Sequence, residues 1–488
     1  MTSAGDYVAM CKALLDNVRW FDASPVDSPA GSPFDADQLA AAVRAQQAQL
    51  PAPYRTAYAA PLLAALPDLV AQLRQQVDHS LLLGAASTDA LAEARSVADT
   101  LVGAVRDRGE AAYRAPLGRF QAVVSNLYRS FLAREQRVRL PQPLAEVLPP
   151  LVTFAPTSER GPFTLPVDRV RQYIGASVGV VSLPGAYAAH PLMWAGLAHE
   201  TGGHDVIHAD PGLIEQLAAG VARLDALPPA LRPVWATWID EAASDVYGIL
   251  NIGPAFPVSL TALFAAIGAA RAASAAPLGA VRSTLAVAGS QMVDAHPVDL
   301  LRLHVALGAV DSLAALSPAR RAAWLDLLGG VAEAAVGGAT TIDARDITTG
   351  AVVQRLPLPI MASAARAVGA YIATAKLDAL GGSSIQDIET WDDADDEAAA
   401  NIAAAAATGP IVSLGDDAQL LAGATLALLR APSAYAAITA QLAAALDDSF
   451  ARDPIFGTAV PESALALSGG GRMLSRTPGS PRFPIALE

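Results

Sequence analysis

The sequence is poor in cysteine and in positive charge, and each deficit excludes a class of site. Its one cysteine, Cys11, rules out an internal disulfide and a zinc site built on cysteine ligands. Lysine and arginine total 33 against 47 aspartate and glutamate residues, which gives a net charge of −14. Because the basic residues form no patch, we expect no nucleic-acid partner.

Long apolar runs and a secretory signal are also lacking. The most alanine-rich stretches are interrupted by Arg271, Asn401 or Pro410, so no uninterrupted run reaches the length of a membrane span. The N-terminal stretch MTSAGDYVAM contains no basic region followed by an apolar core. We therefore expect a soluble cytoplasmic protein that does not enter a membrane.

Alanine and leucine are abundant, and only 6% of the residues are aromatic. Apolar residues recur at helical spacing over most of the chain, including 279–291, and 337–346 is interpreted as a loop. Three short stretches, 151–156, 162–167 and 176–185, are instead β-branched and bounded by proline or glycine, which is typical of strands. The predicted fold class is mainly α with a small β-sheet (α+β).

The residues suited to chemistry are concentrated in 192–208, LMWAGLAHETGGHDVIH. An apolar run precedes His199 and Glu200, which we predict on the buried face of a helix, and His204 follows two glycines. Two imidazoles this close can bind a metal ion, while a glutamate that stays off the metal acts as a general base. The pattern therefore predicts His199 and His204 as metal ligands and Glu200 as the base.

The spacing of these histidines is unusual, because they are five residues apart rather than four. On a regular helix of 3.6 residues per turn, this spacing separates them by about 140° around the axis. Both side chains can face one metal only if the helix contains an extra residue, and such bulges favour functional sites. Gly202 and Gly203 tolerate that distortion, so we predict a bulge at this position.

A second stretch, 234–249, with the sequence VWATWIDEAASDVYGI, offers a third ligand. We predict a helix on which Glu241 and Asp245, four residues apart, share a face. Glu241 would complete a site with three protein ligands. Asp245 would then accept the outward N–H of a ligand histidine, which fixes the tautomer and orientation of its ring.

Together, HETGGH and DEAASD resemble the gluzincin zinc peptidases. The variant H-E-x-x-G-H, followed by an acidic pair and a further acid four residues on, is similar to the dipeptidyl-peptidase III family. This resemblance implies that the three predicted ligands bind Zn²⁺ and that Glu200 is the base of a peptidase. It also implies that the strand before the metal helix, Ala176 to Leu183, is an edge strand that pairs with the substrate backbone.

A third patch, Asp294-Ala295-His296-Pro297 with Arg302 five residues after the proline, lies downstream of both motifs. It resembles the H-P-x-x-x-x-R element of membrane zinc proteases of the CAAX-processing type. This resemblance implies that His296 or Arg302 stabilises the oxyanion of a tetrahedral intermediate. The structural alternative is that His296 caps a helix and Arg302 pairs with a carboxylate.

Two further patterns allow other interpretations. His204 and His208 are four residues apart and would need no bulge, but that pair would leave Glu200 and the two glycines unexplained. We favour the pair His199 and His204. The acidic run 392–396 resembles a magnesium motif of isoprenoid synthases. Because no second metal motif accompanies it, we interpret it as the acidic start of a helix.

These assignments divide the chain into three predicted domains. A helical domain, 1–140, precedes a zincin-like metal-binding catalytic domain, 141–350, and a helical domain with an irregular tail, 351–488. The predicted function is zinc-dependent hydrolysis of a peptide or protein substrate. The alternative, motivated by the irregular histidine spacing, is a catalytically inactive zincin-like binding or scaffold protein. No oligomeric state is predicted.

Overall fold

The computed structural model describes residues 4–18, 35–82, 84, 87–132, 148–155, 161–271, 277–288, 291–294, 296–409, 411, 416–453 and 455–456. Helices account for most of this part of the chain, and two small sheets complete an α+β fold, as predicted. The helices are α1 (Ala4–Asn17), α2 (Ala36–Gln46), α3 (Ala52–Tyr54), α4 (Ala60–Leu82), α5 (Ser87–Arg106), α6 (Arg114–Leu132), α7 (Val167–Ile174), α8 (Val206–Ala209), α9 (Leu213–Val221), α10 (Arg232–Thr237), α11 (Ile239–Ile252), α12 (Ala255–Arg271), α13 (Asp299–Asp311), α14 (Pro318–Val336), α15 (Leu358–Thr374), α16 (Ile385–Ile388), α17 (Asp393–Thr408), α18 (Asp417–Arg430) and α19 (Tyr435–Arg452). The strands are β1 (Leu151–Ala155), β2 (Phe163–Leu165), β3 (Val180–Pro184), β4 (Thr284–Ala288), β5 (Gln291–Met292), β6 (Thr341–Asp346) and β7 (Val352–Pro357).

The first sheet contains the three predicted strands in the order β1–β3–β2. β1 runs parallel to β3, with Leu151 opposite Val180, and β2 runs antiparallel to β3, with Thr164 opposite Val181. β3 is therefore the central strand, and the prediction that the strand before the metal helix lies at an edge is wrong. The edge strands are β1 and the short β2, which lie on either side of β3.

The second sheet was not predicted. Its four strands have the order β5–β4–β6–β7, and the predictions of a helix over 279–291 and a loop near 337–346 are wrong. In β4, Leu285 and Val287 are buried while their neighbours are more exposed, which is the alternation of a strand. A run of five residues is too short to distinguish this alternation from one face of a helix.

Two apolar cores lie on either side of the first sheet. Leu151 and Val180 face a smaller core formed with α2, α4 and α5, whereas Val152 and Val181 face the larger core. The larger core unites α1 with α11–α15 and α17–α19, so it includes residues from all three predicted domains. The predicted boundary near 140 and the predicted irregular tail, 468–488, lie outside the described residues.

The acidic run 392–396 forms the start of a helix, as predicted. The carboxylate of Asp392 accepts hydrogen bonds from the backbone of Ala394 and Asp395 at the N-terminus of α17. The carboxylate of Asp396 accepts a hydrogen bond from the indole N–H of Trp324 and forms an ion pair with Arg320. These contacts give the acids structural partners and attach α17 to α14.

One helical segment, Ala52–Leu82, is long and apolar enough to cross a membrane by length and composition. Leu62, Leu66 and Leu69 on this segment are buried in the smaller core. A core helix of a soluble protein meets the same criterion, so the segment is weak evidence for a membrane span.

Candidate metal centre

The histidine motif forms a π-helix, Ala198–Asp205, that continues into α8. A π-helix places residues five apart near the same face, because its backbone hydrogen bonds join residues five apart rather than four. His199 and His204 accordingly lie together, with ring centroids 4.7 Å apart and ring planes at 90°. The distortion predicted from the spacing is present, and it extends over the whole motif.

The two glycines also have a role that the sequence did not reveal. A Cβ atom on Gly203 would lie 2.4 Å from the Cα atom of Ser244, and a Cβ atom on Gly202 would lie 2.4 Å from the amide nitrogen of Asn251. Both distances are far shorter than a van der Waals contact. The glycines therefore allow the π-helix to lie directly against α11, which carries the predicted third ligand.

His199, His204 and Glu241 form a cluster that could hold a metal ion. One ring nitrogen of each histidine and one carboxylate oxygen of Glu241 all lie within 4.8 Å of one another. The distance from His199 Nε2 to Glu241 Oε2 is 3.3 Å, and the distance from His204 Nε2 to Glu241 Oε1 is 3.5 Å. Two ligands about 2.1 Å from a tetrahedral metal would lie about 3.4 Å apart, so the spacing suits one ion.

Behind His199, a carboxylate and a guanidinium form what we call the buried arm (His199, Asp245 and Arg302). His199 Nδ1 lies 2.9 Å from Asp245 Oδ1. Arg302 donates two hydrogen bonds to Asp245, at 2.7 and 2.8 Å, and its guanidinium lies 4.9 Å from the ring centroid of Phe264. Arg302 thus pairs with a carboxylate, which was the structural alternative to its predicted catalytic role.

Behind His204 lies what we call the exposed arm (His204, Asp240, His208 and Asp168). His204 Nδ1 is 3.2 Å from Asp240 Oδ1, and the other oxygen of Asp240 is 3.3 Å from His208 Nε2. His208 Nδ1 in turn lies 3.3 Å from Asp168 Oδ2. His208 is therefore engaged by two carboxylates. Within the described residues it does not join the ligand cluster, although the rival pair of His204 and His208 would require it to do so.

The two arms define which nitrogen of each histidine faces the cluster. When Nδ1 donates its proton to a carboxylate, Nε2 carries the lone pair that a metal ligand needs. Both Nδ1 atoms face carboxylates on α11, and both Nε2 atoms face Glu241. On both rings Nε2 is therefore the nitrogen that faces the cluster and could bind a metal. Nη2 of Arg302 also lies 3.1 Å from Nδ1 and 3.5 Å from Nε2 of His199.

Glu200 lies beside the cluster without belonging to it. Its Oε2 accepts a 2.6 Å hydrogen bond from the hydroxyl of Thr164 on β2, and Thr164 Oγ1 is also 3.1 Å from the backbone carbonyl of Glu200. Thr164 was not singled out in the sequence, where only its place in a short β-branched stretch was visible. The edge strand β2 thus positions the predicted general base.

His296 lies at the rim of the site, with 58% of its side chain exposed and its Nε2 3.1 Å from Glu241 Oε1. Arg282 holds the loop on which it lies, through hydrogen bonds to the carboxylate of Asp294 at 2.9 Å and the carbonyl of Pro297 at 3.2 Å. The N-cap residue of α13 is Val298, so His296 does not cap that helix. Ala295 of the predicted motif lies outside the described residues.

The carboxylates dominate the electrostatics of the site. Burial lowers the pKa of His204, but Glu241 and Asp240 outweigh it and raise that pKa to about 10. Burial likewise lowers the pKa of His208, but Asp168 and Asp240 outweigh it and raise that pKa to about 9. Although burial raises the pKa of Glu241, its histidine neighbours hold it well below the ordinary value. This concentration of negative charge favours a cation at the cluster.

The cluster opens into a cavity of about 950 Å³. Its lining includes the three candidate ligands with Glu200, residues 161–164 leading into β2, and one face of α12. A candidate metal centre, a carboxylate suited to proton transfer and the edge strand of a sheet thus share one cavity.

Comparisons of the chain with protein-family models, with curated proteins and with solved structures return no match. The resemblance to gluzincins therefore depends on the motifs in the sequence. The geometry of the cluster adds that these three residues could hold a metal ion.

Proposed function

We propose that the protein is a zinc-dependent metallopeptidase in which His199, His204 and Glu241 bind the metal. The observation that carries the proposal is that two imidazole Nε2 atoms face one carboxylate, with Glu200 beside them but outside the cluster. Two histidines and one glutamate are a ligand set typical of catalytic zinc, which keeps a position open for water or substrate. Oε2 of Glu241 is buried and makes no hydrogen bond within the described residues, so a metal ion would satisfy it.

The chemistry follows from the roles of the surrounding residues. Zinc bound at this site supplies Lewis acidity, which lowers the pKa of water and polarises a carbonyl group. Glu200 would accept the proton of the attacking water and pass it to the leaving amine. Thr164 holds the carboxylate of Glu200 for this transfer through its 2.6 Å hydrogen bond.

Two predicted catalytic residues take different parts in this proposal. His296, exposed at the rim, is the candidate donor to the oxyanion that develops on the carbonyl. Arg302 is buried and bonded to Asp245, so we assign it the positioning of His199 instead. Its effect on catalysis would be transmitted through the orientation of that ligand.

The substrate class follows from the edge strand. β2 pairs with β3 and with no other strand in the described part of the chain. Phe163 and Thr164 of β2 line the cavity, so we infer that an extended peptide adds to this strand and places a backbone carbonyl near the metal. A peptide or protein is therefore the proposed substrate.

Metal content and turnover test the proposal together. After reconstitution with zinc, elemental analysis should find one equivalent in wild type and in Glu200→Gln, while hydrolysis of a peptide library is lost in the variant. His199→Ala should lose zinc, whereas His208→Ala, the matched control, should retain it. Zinc bound through His208 rather than His199 would refute the ligand set, and unchanged hydrolysis by Glu200→Gln would refute the role of the base.

The inactive scaffold is the second outcome of this experiment. The reason for considering an inactive protein was the irregular spacing of the histidines, and the π-helix accommodates that spacing. Stoichiometric zinc in wild type without hydrolysis of any library peptide would favour it over the peptidase.

A further inference from the structure

We propose that the cavity beside the metal centre takes an apolar side chain of the substrate, and that Gly268 leaves the room for it. This inference rests on the proposed peptidase function and deepens it by naming a preference of the site. The alternative occupants are an acidic or a basic side chain, and the test below distinguishes all three.

The apolar wall of the cavity is one face of α12. Leu260, Leu263, Phe264 and Ile267 all line the cavity and follow the i, i+3, i+4, i+7 spacing that places residues on one side of a helix. Phe264 and Ile267 are only partly buried, so part of their apolar surface faces the open space. An apolar group placed there would remove this surface from water.

Gly268 lies one position further along this face and also lines the cavity, where it is exposed. A Cβ atom added to it would meet no atom within 4 Å. Glycine inside a helix is less favourable than alanine, and here no packing contact requires its small size. A large side chain at this lining position would extend into space that is now open.

The charges that line the cavity are largely matched within the protein. Arg302 is bonded to Asp245, and Arg282 pairs with Asp294 at 2.9 Å and with Asp299 at 3.4 Å. Guanidinium groups engaged in this way attract an acidic substrate side chain less strongly than unpaired ones. Arg271 ends the same face of α12, so acidic peptides are a necessary arm of the test.

The first experiment measures occupancy without catalysis. In the zinc-loaded Glu200→Gln protein, Gly268→Cys introduces a thiol into the cavity, while the native Cys11 is fully buried. Blocked alanine pentapeptides with a central phenylalanine, alanine, glutamate or lysine are then tested for protection of the thiol against alkylation. The phenylalanine peptide should protect at a concentration at least about tenfold lower than the alanine peptide.

A matched control separates occupancy from general effects of the peptides. Gly330 lies on α14, where an added Cβ atom would also meet nothing within 4 Å, and it does not line the cavity. Alkylation of Gly330→Cys should be independent of every peptide. Equal or better protection of Gly268→Cys by the glutamate or lysine peptide, or no protection by any peptide, would overturn the inference.

The second experiment measures selectivity in the active protein. Gly268→Leu should reduce the preference for phenylalanine over alanine, expressed as the ratio of their kcat/KM values, by about tenfold or more. Gly330→Leu should leave that ratio unchanged. An unaltered ratio in Gly268→Leu would overturn the inference and leave the peptidase function intact. Selective thiol protection without hydrolysis by wild type would instead refute the peptidase function and leave the apolar site standing.

Discussion

The two arms of the metal centre have the same design but differ in their exposure to water. In each arm, Nδ1 of a candidate ligand histidine meets an aspartate on α11. Asp245 of the buried arm has 2% of its side chain exposed and is bonded to the buried Arg302, whereas Asp240 of the exposed arm has 38% exposed and is bonded to His208. The same local arrangement therefore lies in two different electrostatic environments.

This difference teaches where the rigidity of the site originates. Charges attract more strongly when water is excluded, and a buried charge that loses its partner is costly to the folded state. Ion pairs at the surface contribute little, because water and salt screen them. We therefore expect the buried arm to govern stability and the position of the metal, and the exposed arm to adjust the affinity.

The largest expected effect is that of Asp245→Asn. This change leaves the buried guanidinium of Arg302 without its counter-charge, so the free energy of unfolding should fall by about 3–5 kcal/mol. Zinc affinity should also fall by about tenfold or more, because the acceptor of His199 Nδ1 loses its negative charge. Denaturant unfolding and zinc titration measure the two effects.

The control for this prediction removes both charges. In the double variant Asp245→Asn/Arg302→Leu, no unpaired charge remains buried, so much of the lost stability should return while zinc affinity stays low. A loss of less than about 1 kcal/mol in the single variant would contradict the contrast between the arms.

The next largest effect is expected at Gly203, which lies between His199 and His204 in the π-helix. Gly203→Ala forces the π-helix away from Ser244 on α11 and should lower the free energy of unfolding by about 1–3 kcal/mol. Gly202→Ala should cost less, because the atom it meets belongs to the side chain of Asn251. Gly268→Ala, which has open space, is the control for adding a methyl group, and thermal unfolding compares all three. Equal losses in the three variants would show that the approach of the helices is not limiting.

A smaller effect is expected for Asp240→Asn in the exposed arm. Zinc affinity should fall by about tenfold, because the acceptor of His204 Nδ1 is weakened. The free energy of unfolding of the metal-free protein should change by no more than about 1 kcal/mol, since the ion pair is partly exposed. Calorimetric zinc titration measures the affinity, and a destabilisation as large as that of Asp245→Asn would remove the distinction between the arms.

The smallest effect is expected for His208→Gln, and it should depend on pH. The pKa of His208 is raised in the folded protein from 6.5 to about 9, so its protonation stabilises the fold fully below pH 6.5. That contribution is lost as the pH rises through 9. Because Asp168 and Asp240 are each more than a third exposed, we expect only about 1 kcal/mol at pH 6.

Unfolding of metal-free wild type and His208→Gln between pH 6 and pH 10 checks this prediction. The difference in unfolding free energy between the two proteins should shrink steadily as the pH rises. A difference that is constant over this range would show that His208 contributes through packing rather than through its charge.

The features that were predicted correctly depend on short stretches of chain. The interpretation of 392–396 as the start of a helix needed only the acidic residues at its first turn, and the three strands of the first sheet followed from β-branched runs between prolines and glycines. The bulge between His199 and His204 followed from their five-residue spacing and the paired glycines within it; the structure extends it to a π-helix over Ala198–Asp205. In each case the signal lies in a short stretch of sequence, although the strands of the first sheet also pair with distant residues.

The features that were missed depend on distant partners. The second sheet pairs β4 with β6, and its strands are too short or too polar to stand out. Thr164 reaches Glu200 across 36 residues of sequence, and His208 reaches Asp168 across 40. The closeness of Gly203 to Ser244 belongs to the same class, because it depends on how two helices pack.

The pairing of His199 with His204 and the distortion between them could be predicted from the sequence, because spacing along one helix constrains both. Tertiary structure alone decided that β2 rather than β3 lies at the edge, that Arg302 binds Asp245, and that the two arms differ in exposure. These outcomes depend on which surfaces exclude water when distant segments pack together. A linear pattern of residues does not specify that burial, although the burial sets the strength of every charge interaction at the site.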